Sequence, residues 1–154
     1  MPQAMIKAIG LLSGGLDSTL AVRVIRDQGI EVQALNFHIG FCITDAHRHS
    51  DVPGEGDATG QCHGFRAAAK LGVPVEMVDA SQGYLEILHH PRYGYGKNVN
   101  PCVDCRIHML KIARRKMERY GAEFVFTGEV LGQRPKSQHL AQMKVIARDS
   151  GLED

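Results

Sequence analysis

Three polar stretches of the chain contain residue types that could do chemistry. The first, SGGLDST, combines two glycines, a carboxylate and three hydroxyls. The second, NPCVDC, places Cys102 and Cys105 in a C-x-x-C pair, and the third is TGEVLGQRPKSQ at 127–138. Glycine-rich backbone can bind anions, and closely spaced thiols can act as nucleophiles or metal ligands. These three stretches are therefore the candidate functional residues.

The first stretch predicts a phosphate-binding loop. Gly14 and Gly15 have no side chains, so the backbone can curl and direct successive N–H groups at an anion. The helix predicted to follow directs the positive end of its dipole at the same point, and Ser13, Ser18 and Thr19 add hydroxyl donors. The loop has neither the Walker A nor the G-x-G-x-x-G spacing. A glycine turn followed by a helix cap is the alternative interpretation.

The four cysteines favour thiol chemistry or metal binding over disulfides, because no secretory signal precedes them. At the N-terminus of a predicted helix the dipole favours a thiolate, and Arg106 is expected to lower the pKa of Cys105 further. Two buried thiols, or half of a four-ligand zinc site, are the alternatives for Cys102 and Cys105. Further possible metal ligands, without a familiar spacing, are Cys42, Cys62, His47, His49, His63, His89 and His90.

The predicted elements form an α/β fold in which a parallel sheet is flanked by helices. The apolar run at 6–13 does not alternate and predicts a buried strand. A helix over 18–28 should follow, capped by Asp17 or Ser18 and ended by Gly29. Short links between such elements favour right-handed parallel crossovers. Further strands are predicted at 31–39, 73–80 and 122–129, and further helices at 61–71, 82–89, 103–120 and 138–150.

The sheet should bring the three polar stretches together, because ligands in such folds bind beyond the carboxyl ends of the strands. The segment 40–60 is glycine-rich and aperiodic, which predicts a long loop. In the helix over 103–120, helical spacing predicts a buried stripe of Ile107, Leu110, Ala113, Met117 and Tyr120. The same helix has a basic face that could contact RNA phosphates, formed by Arg106, Lys111, Arg114, Arg115, Lys116 and Arg119.

Composition indicates one globular domain. The chain has 154 residues, 44% of them hydrophobic, and a formal net charge of +1, so any attraction to nucleic acid must be local. The N-terminus has no signal peptide pattern, and no apolar run is long enough to span a membrane. We therefore expect a soluble, cytoplasmic protein that is not attached to a membrane.

The full SGGLDST stretch, placed directly after the first strand, resembles the pyrophosphate-binding loop of the PP-loop superfamily, the N-type ATP pyrophosphatases or adenine nucleotide α-hydrolases. The resemblance implies a three-layer, Rossmann-like sandwich that binds ATP and magnesium and adenylates a substrate, releasing pyrophosphate. It assigns Asp17 to magnesium as a catalytic carboxylate. It places the nucleotide phosphates on Ser13, Gly14, Gly15, Asp17, Ser18 and Thr19.

The other two stretches resemble tRNA-thiolating members of this superfamily. NPCVDCRIHML is similar to the segment of tRNA 2-thiouridylases in which an Asn-Pro pair leads into a helix with a reactive cysteine, here Cys105. The added Cys102 resembles the cysteine pair of enzymes that carry an iron–sulfur cluster. The third stretch is similar to a segment of tRNA 4-thiouridine synthetases that lies beside the nucleotide. Its matching residues are Thr127, Gly128, Glu129, Gln133, Ser137 and Gln138.

This resemblance implies adenylation of a tRNA uridine followed by sulfur transfer, with sulfur supplied by a donor protein or by sulfide. The chain ends before the second cysteine and the RNA-binding region of the 2-thiouridylases. We therefore expect 1–154 to be the N-terminal PP-loop domain of a longer protein, acting with a C-terminal domain or as a homodimer. The alternatives are an enzyme similar to 7-cyano-7-deazaguanine synthase, which uses zinc, and a module that binds adenine nucleotides without chemistry.

Overall fold

A computed structural model describes residues 5–40, 63–96, 99–134 and 136–153. The strands are β1 (Lys7–Leu11), β2 (Glu31–His38), β3 (Val75–Asp79) and β4 (Phe124–Phe126). The helices are α1 (Leu16–Asp27), α2 (His63–Leu71), α3 (Tyr84–His89), α4 (Cys102–Tyr120) and α5 (Leu140–Ser150). The predicted loop over 40–60, with Cys42, Cys62, His47 and His49 in or near it, lies outside the described residues except for Gly40.

The four strands form one parallel sheet in the order β3-β2-β1-β4. The register pairs Lys7 with Glu31 across β1 and β2, and Ala8 with Phe124 across β1 and β4. All carboxyl ends of the strands therefore lie along one edge. The predicted α/β fold with a parallel sheet is confirmed.

Helices cover both faces of the sheet and make a three-layer sandwich. On one face, Ile9 and Leu35 pack against α4 and α5, where Ile146 is also buried. On the other face, Leu12 and Ala34 pack against α1 and α2. Alternate strand residues thus enter opposite cores, which explains why the sequence of β1 is a nearly continuous apolar run.

The α4 stripe is buried as predicted at Ile107, Leu110 and Ala113, and Met117 packs against the same core. Tyr120 was predicted wrongly, because its side chain is 40% exposed and its hydroxyl donates to Glu76 Oε2 at 2.8 Å. The Tyr120 side chain therefore lies at the surface, where its hydroxyl reaches the partly exposed carboxylate of Glu76, and does not enter the core.

The predicted ends of three elements were also wrong. The N-cap of α1 is Gly15, and it makes no side-chain capping bond, so neither Asp17 nor Ser18 caps the helix. Strand β4 has three residues, because the chain from Thr127 leaves the sheet toward α1. Helix α5 begins at Leu140. Gly29 follows α1 with a φ of 79°, as predicted for a helix end.

Candidate functional site

A cavity of about 450 Å³ lies at the carboxyl ends of β1, β2 and β4. The loop between β1 and α1, the start of α2, the first turns of α4 and the stretch after β4 all line it. Two of the three predicted stretches therefore meet at one site, as the sheet topology requires. The predicted residues that line it are Ser13, Gly15, Asp17, Ser18, Thr127, Gly128, Glu129, Gln133 and Gln138.

The two adjacent glycines of the loop have different structural roles. Gly14 has a φ of 90°, and a Cβ built there would lie 2.4 Å from the carbonyl carbon of His63 at the start of α2. Gly15 has an ordinary φ of −71°, and its Cβ would meet only Ser13 Oγ, at 3.5 Å. Gly14 is therefore required for packing behind the loop, whereas Gly15 presents backbone at the cavity.

We expect Gly14→Ala to lower the free energy of unfolding by about 2–4 kcal/mol, because the new Cβ has both a strained φ and a backbone clash. The matched variant Gly15→Ala should change it by less than about 0.5 kcal/mol. Urea denaturation followed by circular dichroism measures both. Equal losses in the two variants would contradict the backbone conformation assigned to Gly14.

The hydroxyls of the loop bond mainly within the loop. Ser18 Oγ donates to the Gly15 carbonyl oxygen at 3.1 Å, and Thr19 Oγ1 donates to the same oxygen at 2.7 Å. Ser13 Oγ lies 3.1 Å from Ser18 Oγ and accepts from the Gly15 N–H at 3.3 Å. Thr19 does not line the cavity. Ser13 and Ser18 remain at its wall, where an anion could replace their mutual hydrogen bond.

Asp17 lies in the first turn of α1 and lines the cavity. Among the described residues, its carboxylate has no hydrogen-bond or ion-pair partner. A free carboxylate beside a predicted phosphate site is a suitable ligand for a hard divalent cation such as Mg²⁺.

The stretch after β4 packs directly onto the phosphate-loop helix. A Cβ on Gly128 would lie 2.5 Å from the backbone nitrogen of Ser18, so only glycine permits this approach. Gly132 then donates its N–H to the Gln138 carbonyl oxygen at 2.7 Å, which closes the loop on itself. Gln133 and Gln138 line the cavity, whereas Ser137 is buried and does not.

Gln138 leaves a polar atom unpaired at this cavity. Gln138 is 4% exposed, and its buried Oε1 accepts no hydrogen bond from the residues that the structure describes. Buried carbonyl oxygens are nearly always paired, so this residue is suited to a partner that carries a donor. The position of Gln138 at the cavity wall therefore agrees with contact between its side chain and a bound ligand.

An ion pair joins the cysteine helix to the stretch after β4. Arg106 Nε lies 3.0 Å from Glu129 Oε1, and both side chains are largely buried. Among the described residues, Glu129 Oε1 has this ion pair but no hydrogen bond, whereas Oε2 accepts from Thr127 Oγ1 at 3.3 Å. The two residues thus form a charged part of the cavity wall.

Several other cavity residues were not predicted from the sequence. Asn36 is buried within β2 and donates Nδ2–H to the Leu12 carbonyl oxygen at 2.7 Å, which holds the ends of β1 and β2 together. Its place near the carboxyl end of a predicted parallel strand was the available signal. Arg134 also lines the cavity and has no ion pair within the described part of the chain.

The two cysteines lie in the first turns of α4, outside the lining of the cavity. Cys102 Sγ is 3.5 Å from the Asn100 carbonyl oxygen. Burial raises the pKa of the Cys105 thiol, although Tyr84 and Arg106 act in the opposite direction. Arg106 does lower the pKa of Cys105, as expected, but the expected net lowering is wrong, because desolvation of the thiolate is the larger effect.

Tyr84 hydrogen-bonds to Cys105 from α3. Burial raises the pKa of Tyr84 to about 12, so its hydroxyl remains protonated at neutral pH and can donate to the thiolate. This bond partly offsets the cost of ionising a buried thiol.

We expect alkylation of Cys105 by iodoacetamide to follow a midpoint above the value of about 8.5 for a free thiol, since the rate tracks the thiolate fraction. Tyr84→Phe should raise the midpoint further and slow alkylation at neutral pH about tenfold, because a hydrogen bond to the charged form is lost. Fragment-ion mass spectrometry separates Cys105 from Cys102. A midpoint below that of a free thiol would show that the helix dipole and Arg106 outweigh burial.

The described residues contain no group of three or more histidine, cysteine or carboxylate side chains that could hold a metal ion. His63 lines the cavity, and His89 and His90 are exposed with ring centroids 6.3 Å apart. Cys102 and Cys105 alone do not complete a zinc or iron–sulfur donor set within this part of the chain. None of the helices described is long and apolar enough to cross a membrane.

Sequence comparison and structure comparison both find similarity to proteins named for tRNA thiolation or thiouridine synthesis. A family described as "Thiamine biosynthesis protein (ThiI)", a PP-loop family, matches residues 4–152. The chain is 29% identical over 124 residues to a tRNA-specific 2-thiouridylase MnmA of Syntrophotalea carbinolica, covering 76% of this chain and 32% of that protein. It is 27% identical over 146 residues to a probable tRNA sulfurtransferase of Thermococcus kodakarensis, covering 95% and 35%.

The fold matches a solved structure of a 4-thiouridine synthetase in complex with RNA and bound ATP. The TM-score is 0.66 and the sequence identity is 22%, and the match covers 94% of this chain and 34% of that one. The chain therefore spans about a third of the length of these relatives.

Proposed function

Because this chain belongs to the ThiI family of PP-loop proteins, we propose that it adenylates a tRNA uridine with ATP and then transfers sulfur to the activated base. The observation that carries this proposal is the single cavity in which the glycine loop, Asp17 and the Gln133–Gln138 stretch meet. The cysteine helix contributes Arg106 to the same wall. The relatives named above are tRNA-thiolating proteins, which supports the choice of substrate.

ATP is the proposed nucleotide, since the structural neighbour was solved with ATP bound. Its phosphates would lie at the N-terminus of α1, where the backbone from Ser13 to Gly15 and the helix dipole favour anions. Arg134 supplies a cation at the cavity without an ion-pair partner among the described residues. Gln138 would pair its free Oε1 with a donor of the bound ligand.

Magnesium fits the residues present. Asp17 offers an unpartnered carboxylate at the cavity, and such ions are held by one or two carboxylates together with substrate phosphates. When bound, the ion would neutralise phosphate charge as pyrophosphate leaves. An iron–sulfur cluster or zinc does not fit the two thiols of the described residues, so no step uses either.

The chemistry needs two steps. Attack of the uracil carbonyl oxygen on the α-phosphorus breaks the α–β phosphate bond, releases pyrophosphate and makes the oxygen a leaving group. A sulfur nucleophile then attacks the carbon of that carbonyl group, and the oxygen departs as part of AMP. Cys105 would receive that sulfur from a donor protein as a persulfide. Cys102 would then attack Cys105 Sγ, which forms a Cys102–Cys105 disulfide and releases hydrosulfide as the nucleophile, and excess thiol such as cysteine would reduce the disulfide before the next turnover. Where free sulfide is the donor, it would attack the carbon directly, and neither cysteine would change its oxidation state.

Incubation with magnesium and α-labelled ATP, with and without tRNA that lacks thiolation, tests the proposal. We expect AMP, and we expect its formation to rise with tRNA. Formation of ADP would overturn the proposed cleavage at the α-phosphorus. Formation of AMP independently of tRNA would retain ATP cleavage and exclude tRNA as the activated substrate.

A nucleotide-binding module without sulfur chemistry is the second candidate. The raised pKa of Cys105 and its position outside the cavity lining favour it. This candidate predicts tight nucleotide binding without turnover and no effect of removing Cys105. The same labelled-ATP assay separates the two, because the module leaves ATP intact.

A further inference from the structure

Two open grooves flank α4 and lie outside the nucleotide cavity. The first, of about 450 Å³, lies between α4 and β3, and the second, of about 530 Å³, lies between α4 and α5. The two share Arg115. Their charged lining comprises six cations and four carboxylates, namely Lys111, Arg114, Arg115, Lys116, Arg119 and Arg148 with Glu76, Asp79, Glu118 and Asp149.

The carboxylates of the first groove already have partners. Both oxygens of Glu76 are engaged, one by Lys116 Nζ and the other by the Tyr120 hydroxyl at 2.8 Å. Asp79 Oδ1 accepts from the Ser81 hydroxyl at 2.6 Å and from the Ser81 N–H at 2.9 Å. Arg119 is close enough to Glu76 to lower the pKa of that carboxyl, but it forms no ion pair with it.

The carboxylates of the second groove are engaged in the same way. Glu118 Oε1 lies 3.5 Å from Arg114 Nε. Asp149 accepts from Arg148 Nε at 2.9 Å, from Arg92 Nη1 at 3.2 Å and from the Tyr93 hydroxyl. Glu76, Glu118 and Asp149 are therefore paired with cations, whereas Asp79 is held by the neutral groups of Ser81, which leave its charge in place. With six cations and four carboxylates, the lining of the two grooves is net positive by two.

Three exposed cations that line the grooves have no ion-pair partner among the described residues. Lys111, Arg115 and Arg119 have no ion pair or hydrogen bond with any residue in the described ranges. They are four residues apart, so they are surface neighbours along α4 with a rise of about 6 Å between successive side chains. We call these three residues the cationic stripe. Arg106, Arg114 and Lys116, which the sequence grouped with it, are held in ion pairs.

We propose that the cationic stripe binds the phosphate backbone of the substrate RNA. An exposed row of unneutralised cations is complementary to an extended polyanion rather than to a single enclosed anion. Arginine adds planar, bidentate hydrogen bonding to phosphate. The choice of RNA among polyanions rests on the proposed function.

The cationic stripe lies on the same helix as the two thiols, at a short distance along its axis. On a helix that rises about 1.5 Å per residue, Lys111 lies about 9 Å and Arg119 about 21 Å from Cys105 along the axis. RNA bound along the stripe would therefore extend toward the helix N-terminus, where the cysteines and the cavity lie.

The test is binding of a fluorescent, unmodified tRNA transcript to the full chain over a series of salt concentrations. The variant K111Q/R115Q/R119Q is compared with K7Q/R23Q/K70Q, which removes three exposed cations from other elements and changes the net charge equally. We expect the stripe variant to bind about 100-fold more weakly at 0.1 M salt, with a log–log salt slope shallower by about two to three. The control variant should change affinity less than about threefold.

Equal losses in the two variants, or unchanged binding by the stripe variant, would overturn the inference while leaving the proposed function in place. Displacement of the transcript by polyglutamate as effectively as by unlabelled RNA of equal charge would also overturn it, because the stripe would then be a general anion site. If the unaltered chain binds no tRNA, both the inference and the proposed function fail. AMP formation without tRNA should be the same in all three proteins, since none of the six cations lines the nucleotide cavity.

Discussion

Replacing Asp17 with alanine should reduce AMP formation by about 100-fold or more while the protein remains folded. Asp17 is an unpartnered carboxylate at the cavity, so its loss removes no hydrogen bond or ion pair that the described residues form. Its proposed role is to hold the magnesium that neutralises the phosphates as pyrophosphate leaves. The measurement is release of AMP from α-labelled ATP, with circular dichroism to check the fold.

Asp27→Ala is the matched control for this prediction. Asp27 is in the same helix, is exposed, and pairs with Arg23 at 2.7 Å on the opposite end from the cavity. Its loss should leave AMP formation within about twofold, because exposed pairs of this kind contribute little to stability. Full activity in Asp17→Ala would show that the glycine loop is not the site of ATP cleavage.

Replacing Cys105 with serine should separate the two proposed steps. We expect thiouridine formation to fall by about 1,000-fold or more, because a hydroxyl cannot carry a persulfide, whereas AMP formation should stay within about threefold. Cys105 does not line the cavity, so the change leaves the nucleotide contacts in place. Thiouridine is measured by mass spectrometry of digested tRNA after incubation with a cysteine desulfurase and cysteine.

Cys102→Ser provides the comparison, since it removes the other thiol of the pair and leaves the hydrogen bond between Tyr84 and Cys105. We expect this variant to accumulate a persulfide on Cys105, detected as the added mass of one sulfur atom, because the resolving thiol is gone. If Cys105→Ser thiolates tRNA at the normal rate, sulfur does not pass through this cysteine. Free sulfide would then be the direct sulfur donor to the activated base.

The layout of the sheet could be predicted from local patterns. An apolar run without alternation marked β1 as a strand buried on both faces, and Gly29 marked the end of α1. The convergence of the glycine loop and the stretch after β4 then followed from the rule that parallel strands end at one edge. These features depend on residues close together in sequence.

The remaining features depend on contacts between distant segments. The close approach of Gly128 to Ser18 shortens β4, and no local pattern encodes that contact. The ionisation of Cys105 was predicted in the wrong direction because neighbouring charge can be read from the sequence, whereas burial by other elements cannot. The requirement for glycine at position 14 likewise comes from α2, far away in the chain.

Helix α4 combines several roles in one continuous element of 19 residues. Its first turns carry Cys102 and Cys105, and its inner side forms part of the core through Leu110. Because the helix is continuous, the thiols, the buried residues and the cationic stripe keep fixed distances and angles relative to one another. Inserting a single residue after Leu110 would turn everything beyond it by about 100°, which would move the cationic stripe out of phase with the thiols and drive polar side chains toward the core. Changes of length in this helix are consequently far more restricted than changes of residue on its surface.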